Sequence, residues 1–374
     1  MSFPAPFPAP PQVQNYGGPV LPTPKIVPVF FPNDSLASQL TDFASNLGGT
    51  SWWAAATSEY GVGAATAIAP IYLTESAPTT IDDSDIQTWL TGKLNSDDPA
   101  WPANDGNTIY VVHYPESTTI TLQGATSCQD FGGYHSDTSL DANHGSAEIA
   151  YVVVPRCSSL DSLTGIDAIT GAESHELIEA STDPFPMTNP AWALMDDAHI
   201  YWLPILGGGE VADMCAQFEN VFTKFAGFNY TVQRSWSNAA ALAGHDPCVP
   251  VLPGEVYFNT APELPDTIPF SIAGQTVNVP GVSIPVGQSK TIELDLFSDA
   301  ATTGPWTVAA RDTATLFGAP ANLSFSLNNT TGINGDKLQL TITVNSAGRH
   351  NNETFLLSST LNGQTNLWFG AVGN

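Results

Sequence analysis

His175 and Glu179 stand four residues apart in the stretch Asp167 to Pro184, and Glu176 follows His175 directly. Thr170 with Glu173 three residues on is a capping-box signal for a helix start. Pro184 keeps Asp183 out of helical geometry, so the helix should end near Thr182. On such a helix His175 and Glu179 share one face, with Glu176 one residue round. An imidazole and a carboxylate presented together are competent zinc ligands, and an adjacent glutamate can serve as general base on a water that the ion activates. A carboxylate with a reference pKa near 4.3 is ionised at about pH 5, where an imidazole near 6.5 is mostly protonated. The His-Glu-x-x-Glu spacing therefore suits metal-assisted hydrolysis under acidic conditions.

The spacing is that of the zincin motif His-Glu-x-x-His with Glu179 where the second histidine would stand. The stretch Gly207-Gly-Gly-Glu-Val-Ala-Asp-Met-Cys215 resembles the second helix of glutamate-type zincins. It implies Glu210 as third metal ligand and Asp213 as the group that holds the His175 tautomer. The Glu-x-x-Asp spacing is one residue shorter than that pattern. His199 and Asp183 are the reserve ligands. His113, His144, His245 and His350 lack metal-ligand spacing and read as ordinary histidines, and no nucleophile elbow supports a Ser/His/Asp triad.

These residues need a scaffold. Ile26–Phe31, Ala67–Thr74, Thr108–Tyr114 and Ala147–Pro155 read as strands, and Asp34 or Ser35 through Leu47 and Ser84–Leu94 as helices, with Ile86, Trp89 and Leu90 inward. Alternating strands and helices give an α+β, zincin-like α/β core for residues 25–250. The loop Cys128 to His135 is Gly-rich and can place Tyr134 or His135 beside a cleft. Residues 1–24 form a Pro/Gly-rich extended arm. From residue 251 to 374, seven β-rich runs (Val277–Val279, Ser289–Phe297, Trp306–Ala310, Leu323–Leu327, Lys337–Val344, Thr354–Ser359, Asn366–Ala371) alternate with turn residues, as in an all-β immunoglobulin-like sandwich. The Pro247–Pro253 stretch is the boundary. Trp52, Trp53, Trp192 and Trp202 are core residues before they are a sugar-binding surface.

The chain of 374 residues has 9 Lys plus Arg against 36 Asp plus Glu, a formal charge of −27. Residues 1–250 hold 27 of the acids and 5 of the bases, so the acidity belongs to the first part. A surface so poor in cations disfavours nucleic acid and anionic lipid, and no apolar run is long enough to insert in a membrane. Met1 to Val20 has neither the charged nor the apolar region of a signal peptide, so the signal is removed or export takes another route. Four cysteines without a CxxC fit two disulfides; Cys128–Cys157 with Cys215–Cys248 is favoured because each closes a loop of about 30 residues, worth roughly 3 kcal/mol. Asn-x-Ser/Thr sequons at Asn33, Asn229, Asn322, Asn328, Asn329 and Asn352 carry little weight.

A set of short segments in consistent order resembles the EXORDIUM, or phosphate-induced protein, family over residues 15–248. They are Gly17-Gly-Pro19, Ile26–Phe31, Ser51-Trp-Trp53 before Tyr60, Cys128 with Phe131-Gly-Gly-Tyr-His135, the helix from Ser174-His-Glu to Thr-Asp-Pro184 with Trp192, and Glu210-Val-Ala-Asp-Met-Cys215. The resemblance implies an extracellular or cell-wall location and does not by itself imply an enzyme. The expectation is a secreted, monomeric, zinc-dependent endopeptidase acting on protein or peptide. Its rival is a non-catalytic extracellular binding protein whose carboxylate cluster is structural or holds calcium.

Overall fold

A computed structural model describes residues 2–348 and 352–374, so His350 lies outside the described residues. The chain is mixed helix and sheet with strand in the majority. The elements that build the first half are β1 (Lys25–Phe30), α1 (Ala37–Leu47), α2 (Asp83–Leu94), β2 (Thr108–Tyr114), β3 (Tyr134–Ser139), β4 (Glu148–Pro155) and α3 (Ile166–Thr182). β1, β2 and β4 pair in parallel, and β3 closes the edge antiparallel to β4. All seven residues of β2 are buried, as expected of a Val/Ile/Tyr-rich strand covered on both faces. Beyond β1, the expected strand Ala67–Thr74 splits into Thr66–Ala67 and Ile71–Tyr72, both pairing with β1. Pro70 between them has no N–H for the ladder.

α3 crosses β3 and β4 with fourteen of its residues buried, Ile169, Leu177, Ile178 and Ala180 among them in the hydrophobic core. Its end at Thr182 agrees with the restraint from Pro184. Its start does not agree with the capping box: the helix begins at Ile166, behind Gly165 at φ 58°, with no side-chain cap. Ala168 and Ile169 are buried, and that apolar burial carries the helix a turn further back. Thr170 and Glu173 consequently sit in the helix interior, both fully buried. α1 likewise starts at Ala37, after Asp34 accepts from the Leu36 N–H at 2.9 Å.

Every strand of the C-terminal part lies between Phe258 and Gly373. One sheet has four strands, Phe258–Pro262, Ser289–Ser298, Lys337–Val344 and Leu323–Leu327, and the other six. All seven expected runs are strands, and the sequence reading missed Phe258–Pro262, Asp266–Ile272 and Thr331–Gly332. Pro262, Pro265 and Pro269 disguised the first two; Asp266–Ile272 is an edge strand, where a proline is tolerated.

An aromatic seam joins the two parts. Trp202 packs on Phe369 at 4.7 Å and Trp368 at 5.8 Å, and Tyr201 meets Phe270 at 6.2 Å. One continuous hydrophobic core includes residues of both. The N-terminal arm crosses the same seam: Ala5 N donates to Asn334 Oδ1, Phe7 stacks on Phe297 at 4.1 Å, and Val13–Gln14 pairs with Leu194–Met195. Trp52, Trp53 and Trp202 are fully buried core side chains. Disulfides link Cys128 with Cys157 and Cys215 with Cys248, the chemistry of an oxidising compartment. No helix among the described residues is long and apolar enough to cross a membrane.

Candidate metal centre

A cleft of about 470 Å³ opens between the loop before β3, the outer face of α3 and the segment Leu206–Gln217. His135, His175, Glu176, Glu179, Glu210 and Asp213 all line it, and no lysine or arginine does. Glu210 precedes α4 (Asp213–Ala216), a single helical turn, so the expected long second helix is absent. Gly208 permits this turn: a Cβ there would fall 1.8 Å from Asp213 Oδ2.

Local hydrogen bonds fix how the helix presents its groups. Gln233 Nε2 donates to Ala212 O at 2.7 Å, leaving its Oε1 as an acceptor 3.0 Å from His175 Nδ1. That acceptor requires the proton on Nδ1, so in neutral His175 the lone pair is on Nε2. Facing Nε2 at 3.1 Å is Glu179 Oε2. The other oxygen, Glu179 Oε1, accepts from the N–H groups of Ala212 and Asp213 at 3.2 and 3.1 Å. Asp213 Oδ1 lies 3.4 Å from the same His175 Nε2, so Asp213 contacts the nitrogen that faces the cleft, and the tautomer-holding role expected of it belongs to Gln233.

His135 enters from β3 on the opposite side. Its Nδ1 is 3.6 Å from Glu179 Oε2 and 3.7 Å from Glu176 Oε2, and its Nε2 is 3.5 Å from Glu210 Oε2. Neither His135 Nε2 nor Glu210 Oε2 has a hydrogen-bond partner, although both are buried. Among the described residues, two sets of groups bring ligand atoms within 4.8 Å of one another: His135 with Glu179 and Glu210, and His175 with Glu176 and Glu179. The expected set His175, Glu179 and Glu210 is not gathered as one; the structure gives Glu210 to His135, with Glu179 common to both.

The electrostatics are those of crowded anions. Burial, then neighbouring Glu179 and Asp213, pushes the Glu210 carboxyl well above its ordinary range. Burial and Asp213 raise Glu179, against the pull of His175. For His175, burial alone would lower the pKa, but Glu179 and Glu176 outweigh it and raise it well above 6.5. His135 is raised likewise: burial lowers it, while Glu176 and Glu179 prevail. Asp213 is lowered; burial opposes this, but the hydrogen bond with His175 and its charge dominate. A site this demanding of positive charge holds protons or a cation.

Of the reserve ligands, Asp183 is close enough for its charge to affect Glu210, but its Oδ1 accepts from Ala191 N–H at 2.6 Å. His199 is elsewhere, bound to Asp196 at 2.7 Å and Ala9 O at 3.1 Å. Two residues of this cluster carry no ligand or positioning role in the sequence reading. His135 was placed beside a cleft without a ligand role, because it is forty residues from the helix and its register against β4 is a tertiary fact. Gln233 carried no signal in its own segment.

No protein-family model matches the chain, and no curated protein does. Among solved structures, domains 4 and 5 of the S-layer protein SbsC align with 30% of this chain and 46% of that one, at 19% identity and a TM-score of 0.19. The titin M3 domain aligns with 25% of this chain and 85% of its own, at 13% identity and a TM-score of 0.17.

Proposed function

We propose that this chain is a secreted, metal-dependent endopeptidase, with a zincin-like first part in the manner of the EXORDIUM resemblance and an immunoglobulin-like sandwich. The observation that carries the reading is the preset pair of His175 Nε2 and Glu179 Oε2, 3.1 Å apart. Zinc bonds of about 2.0–2.2 Å in a tetrahedron separate neighbouring ligand atoms by about 3.3–3.6 Å. Gln233 and the backbone N–H groups of Ala212 and Asp213 hold both ligands in place from behind, as outer partners of metal ligands do. His175 and Glu179 would hold a divalent ion, whose chemistry would be to polarise a scissile carbonyl and lower the pKa of the water that attacks it. Glu176, ligand-atom neighbour of both His175 and Glu179, accepts that water's proton and returns it to the leaving amine. The open cleft admits an extended chain, and its anionic wall favours neutral or cationic substrates over nucleic acid.

Activity at acidic pH belongs to this proposal on the strength of the base-poor composition. The burial that raises Glu179 and Glu210 works against it, because those carboxyls keep protons to higher pH than exposed ones. The rival, a calcium-holding binding protein, draws on the oxygen-rich donor set, whereas two imidazoles favour a transition-type ion. Elemental analysis of the purified protein with a casein assay from pH 4 to 7 separates them. Zinc at stoichiometric level, with cleavage abolished in Glu176→Gln and metal retained, supports the peptidase. Calcium alone, or protein with neither metal nor cleavage, sinks it.

A further inference from the structure

We infer that the centre is built for two divalent cations, with Glu179 as the bridging carboxylate. The inference rests on the reading above and deepens it. Glu179 Oε2 faces two imidazoles, His175 Nε2 at 3.1 Å and His135 Nδ1 at 3.6 Å. The two histidines belong to separate sets of mutually close ligand atoms whose shared member is Glu179. One ion would take His175 and Glu179, with Glu176 beside it, and a second would take a single nitrogen of His135 together with Glu179 and Glu210.

The second pocket has its own sign of a missing ligand. The His135 side chain is 6% exposed, its Nε2 has no hydrogen-bond partner, and the Glu210 Oε2 that it faces has none either. Buried polar atoms are otherwise almost always satisfied.

Charge leads to the same number. Once metal displaces their protons, Glu176, Glu179, Glu210 and Asp213 would bring four negative charges to the cleft wall beside two neutral imidazoles. One divalent ion offsets half of that charge; two offset all of it. Among the described residues no lysine or arginine lines the cleft to make up the difference. Arg156 pairs with Asp34, Arg234 with Asp246, Lys224 with Asp167 and Lys93 with Glu75, all away from the cleft. Two ions sharing a carboxylate oxygen would lie about 3.5–4 Å apart, the spacing of two-metal hydrolytic sites such as those of aminopeptidases.

The test is metal stoichiometry. The full chain is stripped with a chelator, then titrated with Zn²⁺ by calorimetry and with Mn²⁺ by electron paramagnetic resonance, alongside His135→Gln and Glu210→Gln with circular dichroism as the folding check. The expected result is two ions per chain and a spin-coupled manganese signal in the native protein, falling to one ion and an uncoupled signal in either folded variant. One ion per native chain, or two uncoupled ions, overturns the two-ion centre and leaves the peptidase reading standing. No bound ion overturns both.

Discussion

Gln233 separates metal binding from folding more cleanly than any ligand does. Its amide bridges Ala212 O and His175 Nδ1, which holds the His175 ring with Nε2 toward Glu179. Gln233→Leu should weaken Zn²⁺ affinity about 10–100-fold, measured by chelator competition, with the circular dichroism spectrum unchanged. Unaltered affinity would remove the reason given for the ring's orientation. Behind the helix lies a second polar pair, His113 and Glu173, both fully buried, 3.9 Å apart and without hydrogen-bond partners. Burial pushes Glu173 up to about 8, with Arg156 pulling only partly against it, and pushes His113 well below 6.5. Between pH 4.5 and about 8 the unfolded chain releases the Glu173 proton that the folded chain retains, so stability is lost as pH rises through that window. Glu173→Gln has no such proton. Its melting temperature relative to native should therefore climb from pH 4.5 to 8, and a flat difference in a pH series of thermal melts would contradict the assignment.

At the scale of elements, the site depends on how closely β3 and α3 approach. Gly133 lies where they meet, and a Cβ there would stand 3.0 Å from Glu176 Cγ and 3.3 Å from its Oε1. Gly133→Ala should shift Glu176 and lower kcat/KM about 100-fold while metal content stays native; full activity in a peptide assay would show that the glutamate has room to spare. The sequence made parts of this arrangement legible for physical reasons. β2 and β4 announced themselves through β-branched and aromatic runs, and Pro184 marked the end of α3. The start of α3 was misread because Thr170 and Glu173 have capping chemistry but buried neighbours, and tertiary burial outweighs a cap worth about 1 kcal/mol. On the helix, His175, Glu176 and Glu179 could be read from spacing alone. The position of His135 could not, since it follows from the register His135 opposite Val152 across two strands.

The molecule as a whole is tied through Trp202, which packs on Trp368 and Phe369 of the sandwich. With one apolar core running through both parts, calorimetry should show one transition rather than two. Trp202→Ala should cost about 3–5 kcal/mol and split or broaden that transition; two resolved peaks in the native protein would mean that the seam does not couple the parts. The charge imbalance and the strand-rich tail were evident in the composition, whereas the seam was not, because Trp202 meets Trp368 and Phe369 from more than 160 residues away in the chain.

The disulfides lie beside the centre. One bond begins seven residues before His135, and the other holds Cys215, two residues after Asp213. Thiol oxidation thus steadies two of the walls of the acidic cleft, and under the proposed function it would set an order of maturation. A newly made chain with its cysteines still reduced would have a slack cage and little hold on zinc, so hydrolytic competence would arrive only after the chain has left the reducing environment of its synthesis, sparing the producing cell's own proteins.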